Sequence, residues 1–178
     1  TIGADGLPVV SYCDGNHHLM VLHCGNAACT GENSAVTVDG NDSCAHNSIA
    51  VGADGLPVIS YGEYTNNGLK VVHCGNAGCS SGNSTTTVDA SAGVGFYPYP
   101  SIAIGGDGLP VMSYWDSANR DLKVAHCGNV ACTSGDSWFA ADTAGDVGLC
   151  SSIAIGVDGL PVLAYQDQTN GQLKILKC

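Results

Sequence analysis

One phrase is written four times along this chain. "TIGADGLPVVSY" opens it, "SIAVGADGLPVISY" follows at Ser48, "SIAIGGDGLPVMSY" at Ser101 and "SIAIGVDGLPVLAY" at Ser152. The aspartates of the four "DGLP" tetrapeptides are Asp5, Asp54, Asp107 and Asp158, spaced by 49, 53 and 51 residues. A period near 50 residues marks a repeat architecture, in which one small unit hides its apolar surface against copies of itself. The 178 residues are one domain's worth of chain divided into four such units.

The second unit shows what each contains. "SIAVG", "LPVISY", "LKVVHC" and "STTTVDA" are short apolar or β-branched runs, separated by Gly-, Asn-, Asp- and Ser-rich turns. No run has a helical period. Four antiparallel strands per 50 residues, repeated, predict an all-β, four-bladed β-propeller. The blades are expected over residues 1–47, 48–100, 101–151 and 152–178. In "SIAIG", Ile102 and Ile104 alternate with small residues, which suits the innermost strand where blades converge. The long link "SAGVGFYPYP" suits the step from one blade's rim to the next blade's centre. The fourth unit stops at "LKILKC", so its blade is expected to lack the outer strand, giving fifteen strands and one bare edge. Bare edges are liabilities or docking sites.

Ten cysteines are many for this length. Six recur in pairs: Cys24 with Cys29, Cys74 with Cys79, and Cys127 with Cys132, each inside "HCGNxxC". The alternative to a local disulfide is a metal site using His23, His73 and His126, but zinc sites join two close Cys/His pairs, and here each pair stands alone in its repeat. Disulfides place the protein in an oxidising compartment: secreted, or displayed at a cell surface. Cys13 and Cys44 fall toward one face of the disc and form a reasonable further pair. Cys150 and Cys178 fall toward opposite faces, too far apart for the roughly 7 Å limit between Cα atoms. They are expected to bond between subunits, unless the strand edges are displaced and all five bridges are internal.

The formal charge of −11 rests on 16 acidic and only five basic residues. That balance excludes nucleic acid and anionic membrane surfaces as partners. No apolar run approaches the roughly 20 residues of a membrane helix, and no leader segment is recognisable, so the sequence reads as a mature chain. An acid follows each second strand: Asp14, Glu63, Asp116 and Asp167, with Asn16, Asn67, Asn119 and Asn170 close by. Around a ring these would share one face, and their oxygens suit Ca²⁺ or sugar hydroxyls. Trp115 could stack on a sugar. The plainer reading is that these acids organise their own turns, as the "DGLP" aspartates do. No cofactor is expected apart from that possible Ca²⁺.

The phrases "SIAIGxDGLPVxSYxD", "NxxLKVxHC" and "SWFAADTAGDVGLCSSIAIG" resemble the repeats of secreted bacterial and archaeal β-propellers, whose form is "SIAxDxxGxPxISYYD…LKYA…W…VDxxGDVGxYxS". The resemblance spans essentially the whole chain and implies the propeller fold; the Cys loops and the incomplete last repeat depart from it. No nucleophile elbow, zinc-protease motif or phosphate loop occurs, so no enzyme is expected. The expectation is an extracellular structural or adhesive protein, a self-assembling subunit of a filament or matrix whose partner is itself. A carbohydrate-binding propeller using the Asp14, Glu63, Asp116 and Asp167 face is the alternative, and a glycan-active enzyme built on a carboxylate pair the third reading.

Overall fold

The computed structural model describes residues 1–41, 44–63, 68–90 and 99–178. They hold strands and turns without a helix. Fourteen strands form four antiparallel sheets in chain order. The first contains β1 (Val9–Cys13), β2 (Leu19–His23) and β3 (Ser34–Asp39). The second contains β4 (Cys44–Val51), β5 (Pro57–Glu63), β6 (Leu69–His73) and β7 (Ser84–Asp89). The third contains β8 (Ser101–Ile104), β9 (Pro110–Asp116), β10 (Asp121–His126) and β11 (Ser137–Asp142). The fourth contains β12 (Val147–Ile155), β13 (Pro161–Asp167) and β14 (Gln172–Lys177). In every sheet the strands lie side by side in sequence order, the meander of a propeller-like fold.

Two details differ from the sequence expectation. Among the described residues fourteen strands form, and the first sheet has three rather than four, with residues 1–3 contributing the isolated bridge Ile2–Pro8 instead of a strand. The inner strands β4 and β12 also begin upstream of the expected unit boundaries, at Cys44 and Val147, each passing through a register shift. The link over residues 91–98 lies outside the described residues.

The turn between the first two strands of each unit explains why "DG" recurs. In the second sheet Gly52 N–H donates to the Leu56 carbonyl and Gly55 N–H to the Gly52 carbonyl. Gly6, Gly55, Gly108 and Gly159 all sit at φ between +79° and +82°, where a side chain would be strained. The aspartate before each braces the turn: Asp54 Oδ1 accepts the Leu56 N–H at 3.1 Å. Its other oxygen lies 2.7 Å from His73 Nε2, tying the hairpin to the end of β6.

Packing runs between consecutive sheets. One core cluster joins the first and second sheets through Val9, Leu19, Val21, Ile59, Tyr61 and Val72. A second joins the next pair through Val58, Leu69, Val71, Met112, Tyr114 and Ala125. A third joins the last pair through Val111, Leu122, Val124, Leu163 and Tyr165. The inner strands also interlock, since Ser48 Oγ accepts the Ile102 N–H and Ser101 Oγ the Ile153 N–H. Among the described residues no core cluster joins the fourth sheet back to the first.

Four disulfides form: Cys13–Cys44, Cys24–Cys29, Cys74–Cys79 and Cys127–Cys132. The three short ones close loops in which an asparagine does the folding. Asn76 Oδ1 accepts the Ser80 N–H, and Asn83 receives the Gly75 N–H while its amide donates to the Cys79 carbonyl. Cys150 and Cys178 are unpaired and exposed. Cys178 N–H bonds the Pro161 carbonyl at one end of β13, while Val147, near Cys150, pairs with Asp167 at the other. No helix among the described residues is long and apolar enough to cross a membrane.

Candidate functional site

The four acids after the second strands lie at the same end of their sheets, but Asp14, Asp116 and Asp167 are engaged in holding their own turns and Glu63 in an ion pair. Asp14 Oδ1 accepts the His18 and Asn16 N–H groups, and Oδ2 sits 3.0 Å from His18 Nδ1. The His18 N–H bond is the main cause that holds its carboxyl below the usual range. Asp116 accepts the Ala118 and Asn119 N–H groups and the Asn119 side-chain amide. Asp167 is held the same way by Asn170, which lowers its pKa. Glu63 pairs with Lys70 at 2.6 Å. Asp116 and Asp167 are fully buried and Glu63 nearly so. Asn67 lies outside the described residues. Trp115 is half-buried with its Nε1 enclosed and unpartnered, at the register position that Cys13 holds in the first sheet. Among the described residues no group of three His, Cys, Asp or Glu side chains is placed to hold a metal ion.

A second constellation was not anticipated from the sequence. The last residue of each outer strand is an aspartate that turns onto the following sheet. Asp39 accepts the Tyr61 hydroxyl at 2.6 Å, Asp89 that of Tyr114 at 2.8 Å, and Asp142 that of Tyr165 at 2.7 Å. A lysine of the following sheet then lies between this aspartate and its own sheet's turn acid. Lys123 is 3.2 Å from Asp89 and 2.8 Å from Asp116. Lys174 is 2.9 Å from Asp142 and 3.4 Å from Asp167. Lys70 is 2.6 Å from Glu63 and 3.9 Å from Asp39. Burial pushes Asp116 up, but Lys123 and Asn119 outweigh it and hold the carboxyl low. Burial and the Asp89 carboxylate raise the Tyr114 hydroxyl far above its ordinary range, so it stays a donor. The signal was present in the recurrence of a tyrosine ("SY" or "AY"), "LK" and an aspartate ("VD" or "AD") at matching places in successive repeats.

The third sheet adds residues found in no other repeat. Asp121 lies directly across from Asp116 in the β9–β10 ladder. Burial, then the like charge of Asp116, raises its pKa, whereas Asp116 and Asp142 are lowered. Arg120 reaches Asp146 at 3.3 Å, and Trp138, half exposed, lies 4.4 Å from the Lys123 ammonium. A carboxyl whose pKa is raised beside others whose pKa values are lowered is the kind of contrast that acid–base chemistry uses. Nearby, His46 stacks on Tyr99 at 4.0 Å, an aromatic surface between the second and third sheets.

The opposite end carries the hairpin turns. Asp5–His23, Asp54–His73 and Asp107–His126 pair at 2.7–2.8 Å, and Lys177 pairs with Asp158. A cleft of about 470 Å³ between the third and fourth sheets is bordered by Asp107, His126, Asp158 and Leu160.

No protein-family model matches this chain, and no curated protein does. Solved structures do match. A thermostable family-43 glycoside hydrolase superposes with a TM-score of 0.57 at 12% identity, over 95% of this chain and 66% of the other. A putative exo-beta-1,3-galactanase from Bifidobacterium bifidum gives 0.57 at 14%, over 99% and 64%. The endo-arabinase from Bacteroides thetaiotaomicron gives 0.54 at 10%, over 97% and 73%. The chain thus spans about two thirds of the length of the first structures it matches. The likeness fixes a propeller-like, all-β fold.

It also corrects two expectations. The reading as a structural or adhesive subunit of a filament or matrix, and the expectation of no enzyme, both give way, because the backbone arrangement found here is one that glycoside hydrolases carry. The bare edge and the exposed Cys150 and Cys178 that motivated the filament describe a surface rather than a function.

Proposed function

We propose that this chain is an extracellular, carbohydrate-active propeller whose four sheets are blades and whose ligand is a polysaccharide. The observation that supports the reading is the superposition of nearly the whole chain on glycoside hydrolases. Four disulfides fit an oxidising, extracellular setting. Glycoside cleavage needs a protonated carboxyl at the leaving oxygen and an ionised carboxylate across the sugar. Asp121, held protonated to higher pH than its neighbours, fills the first role, and the turn end of the third sheet is where a sugar would lie. A sugar-binding function without cleavage is the second reading, favoured by one observation: Asp116 and Asp167 are buried and fully engaged in turns and lysine pairs, so neither is free to attack or to activate water.

The test is retention of the purified protein by insoluble arabinan, β-1,3-galactan and xylan, with reducing-end release measured on the same materials. Binding with release that Asp121→Asn abolishes supports cleavage. Binding without release supports recognition alone. Failure to bind any of a broad polysaccharide panel overturns both.

A further inference from the structure

Of the three outer strands β3, β7 and β11, only β11 carries aromatic side chains. Trp138 stands across from Ala125 in the β10–β11 ladder, where the second sheet sets Thr85 across from Val72. Ala125 is fully buried, yet 46% of Trp138 reaches solvent. Filling the room left by a smaller neighbour needs no ring of that size with nearly half its surface in water. The ring is also fixed from one side. Its centroid lies 4.4 Å from the Lys123 ammonium, which Asp89 and Asp116 hold in place at 3.2 and 2.8 Å. Side chains alternate along β10, so Trp138, Ala125, Lys123 and Asp121 share the side of the third sheet that is turned to the second. Across the junction β7 turns Ser84 and Thr86, both half-buried, toward the third sheet on the side of Val71. The groove lies between two complete four-stranded sheets, so neither end of the chain shapes it.

We propose that Trp138 is a stacking platform for one neutral sugar residue of the polysaccharide, on the outer edge of the groove between the second and third sheets. The site rests on the glycan reading above and adds where one sugar lies and of what class it is. A sugar ring has an apolar face of C–H groups and a rim of hydroxyls. The face lies flat on the indole, while the rim keeps its hydrogen bonds with water or with hydroxyls such as those of Ser84 and Thr86. The neutral class follows from charge. The chain carries a formal −11, and the ammonium under the ring is already held by two carboxylates. An acidic sugar would therefore meet net repulsion and find no free cation beneath it. Asp121 stands four residues along β10 from Ala125, roughly 13 Å at the spacing of a strand. The platform thus holds the glycan at a distance from that carboxyl, as a separate subsite on the same surface.

Tryptophan fluorescence tests it directly, because the chain has two tryptophans. Trp115→Phe leaves Trp138 as the one indole emitter, and Trp138→Phe leaves Trp115. Both are titrated with soluble oligosaccharides from arabinan, β-1,3-galactan and xylan, and with oligogalacturonate as the acidic probe. A saturable change in emission is expected with a neutral oligosaccharide in Trp115→Phe and none in Trp138→Phe. Trp138→Thr carries the side chain that the second sheet has at this position. Its affinity for the same oligosaccharide should fall about 10-fold, and that of Trp138→Phe, which keeps a ring, by much less. The fluorescence pair carries the test should Trp138→Thr loosen the sheet. No emission change in Trp115→Phe at saturating sugar, or undiminished binding by Trp138→Thr, overturns the platform and leaves the glycan reading standing. Tighter binding of oligogalacturonate than of the neutral oligosaccharides overturns the neutral class. Failure to bind any member of the panel overturns both the platform and the reading on which it rests.

Discussion

Lys123 is the residue on which most at the second junction depends. Its ammonium stands between Asp89 and Asp116, both buried, and only 6% of the lysine itself reaches solvent. Replacing it with methionine, the residue that the first sheet carries at this position, leaves two carboxylates without their cation. Lys123→Met should therefore cost about 3–5 kcal/mol, the range for removing one member of a buried ion pair, read as a shift in the urea midpoint. Tyr114→Phe removes one hydrogen bond to a charged acceptor and leaves Lys123 in place, so about 1.5–3 kcal/mol is expected. The pH dependence has a definite sign. Asp116 and Asp142 are held below the ordinary carboxyl value of 3.8. Their contribution is complete above that value and is lost as pH falls through their lower folded values. Asp121 runs the other way: its raised pKa means that ionising it at neutral pH works against the fold. Asp121→Asn should raise the thermal midpoint at pH 7 and leave it unchanged near pH 3. A neutral-pH midpoint that stays put would remove the environment claimed for this carboxyl.

Among elements, the disulfides divide into two kinds. Cys24–Cys29, Cys74–Cys79 and Cys127–Cys132 each span five residues and fix a loop within one sheet. Cys13–Cys44 spans 31 residues and joins β1 to β4 across a junction, with Cys44 fully buried. Loop-closure entropy makes the long bridge worth ~4 kcal/mol and a short one ~2 kcal/mol. The double substitution Cys13→Ser and Cys44→Ser should accordingly lower stability about twice as much as Cys74→Ser with Cys79→Ser, measured by denaturant unfolding of oxidised protein. This staple was legible in the sequence, because the strands before Cys13 and after Cys44 could be read from alternation and their ends placed on one face. The strands themselves were legible for the same reason: "LPVISY" and "LKVVH" are short apolar runs, and Gly55 just before the first sits at a φ of +81°, which admits little else. What could not be read were interactions between units. Nothing within one repeat says that Asp89 crosses to Tyr114 and Lys123, because hydrophobic period and turn chemistry are local and this contact is not. Ser60 shows the same limit. Ser11 bonds Asn47 and Ser113 bonds Ser151, each one sheet onward, but the matching position beyond Ser60 is Pro100, and its hydroxyl is left buried without a partner.

At the scale of the molecule, each sheet leans only on its neighbours. The three core clusters each join two consecutive sheets, so stability is a sum over units and junctions, as in repeat proteins. The second and third sheets are covered on both surfaces: every residue of β5 is buried and six of the seven in β9 are. The outer sheets are covered on one surface only. β14 has only exposed and half-buried residues, and β1 buries Val9 alone. Opening an end sheet breaks one junction, whereas opening an inner one breaks two. Amide hydrogen exchange should therefore rank the strands: β14 and β1 exchange first, β5 and β9 last, near the rate of global unfolding. Cys13–Cys44 holds the first sheet to the second, so the fourth sheet should open before the first in oxidised protein, and the order should even out once that bridge is replaced by serines. Uniform protection across all four sheets in dilute protein would mean that the molecule unfolds as one unit, and that its end surfaces are held by something other than their single neighbours.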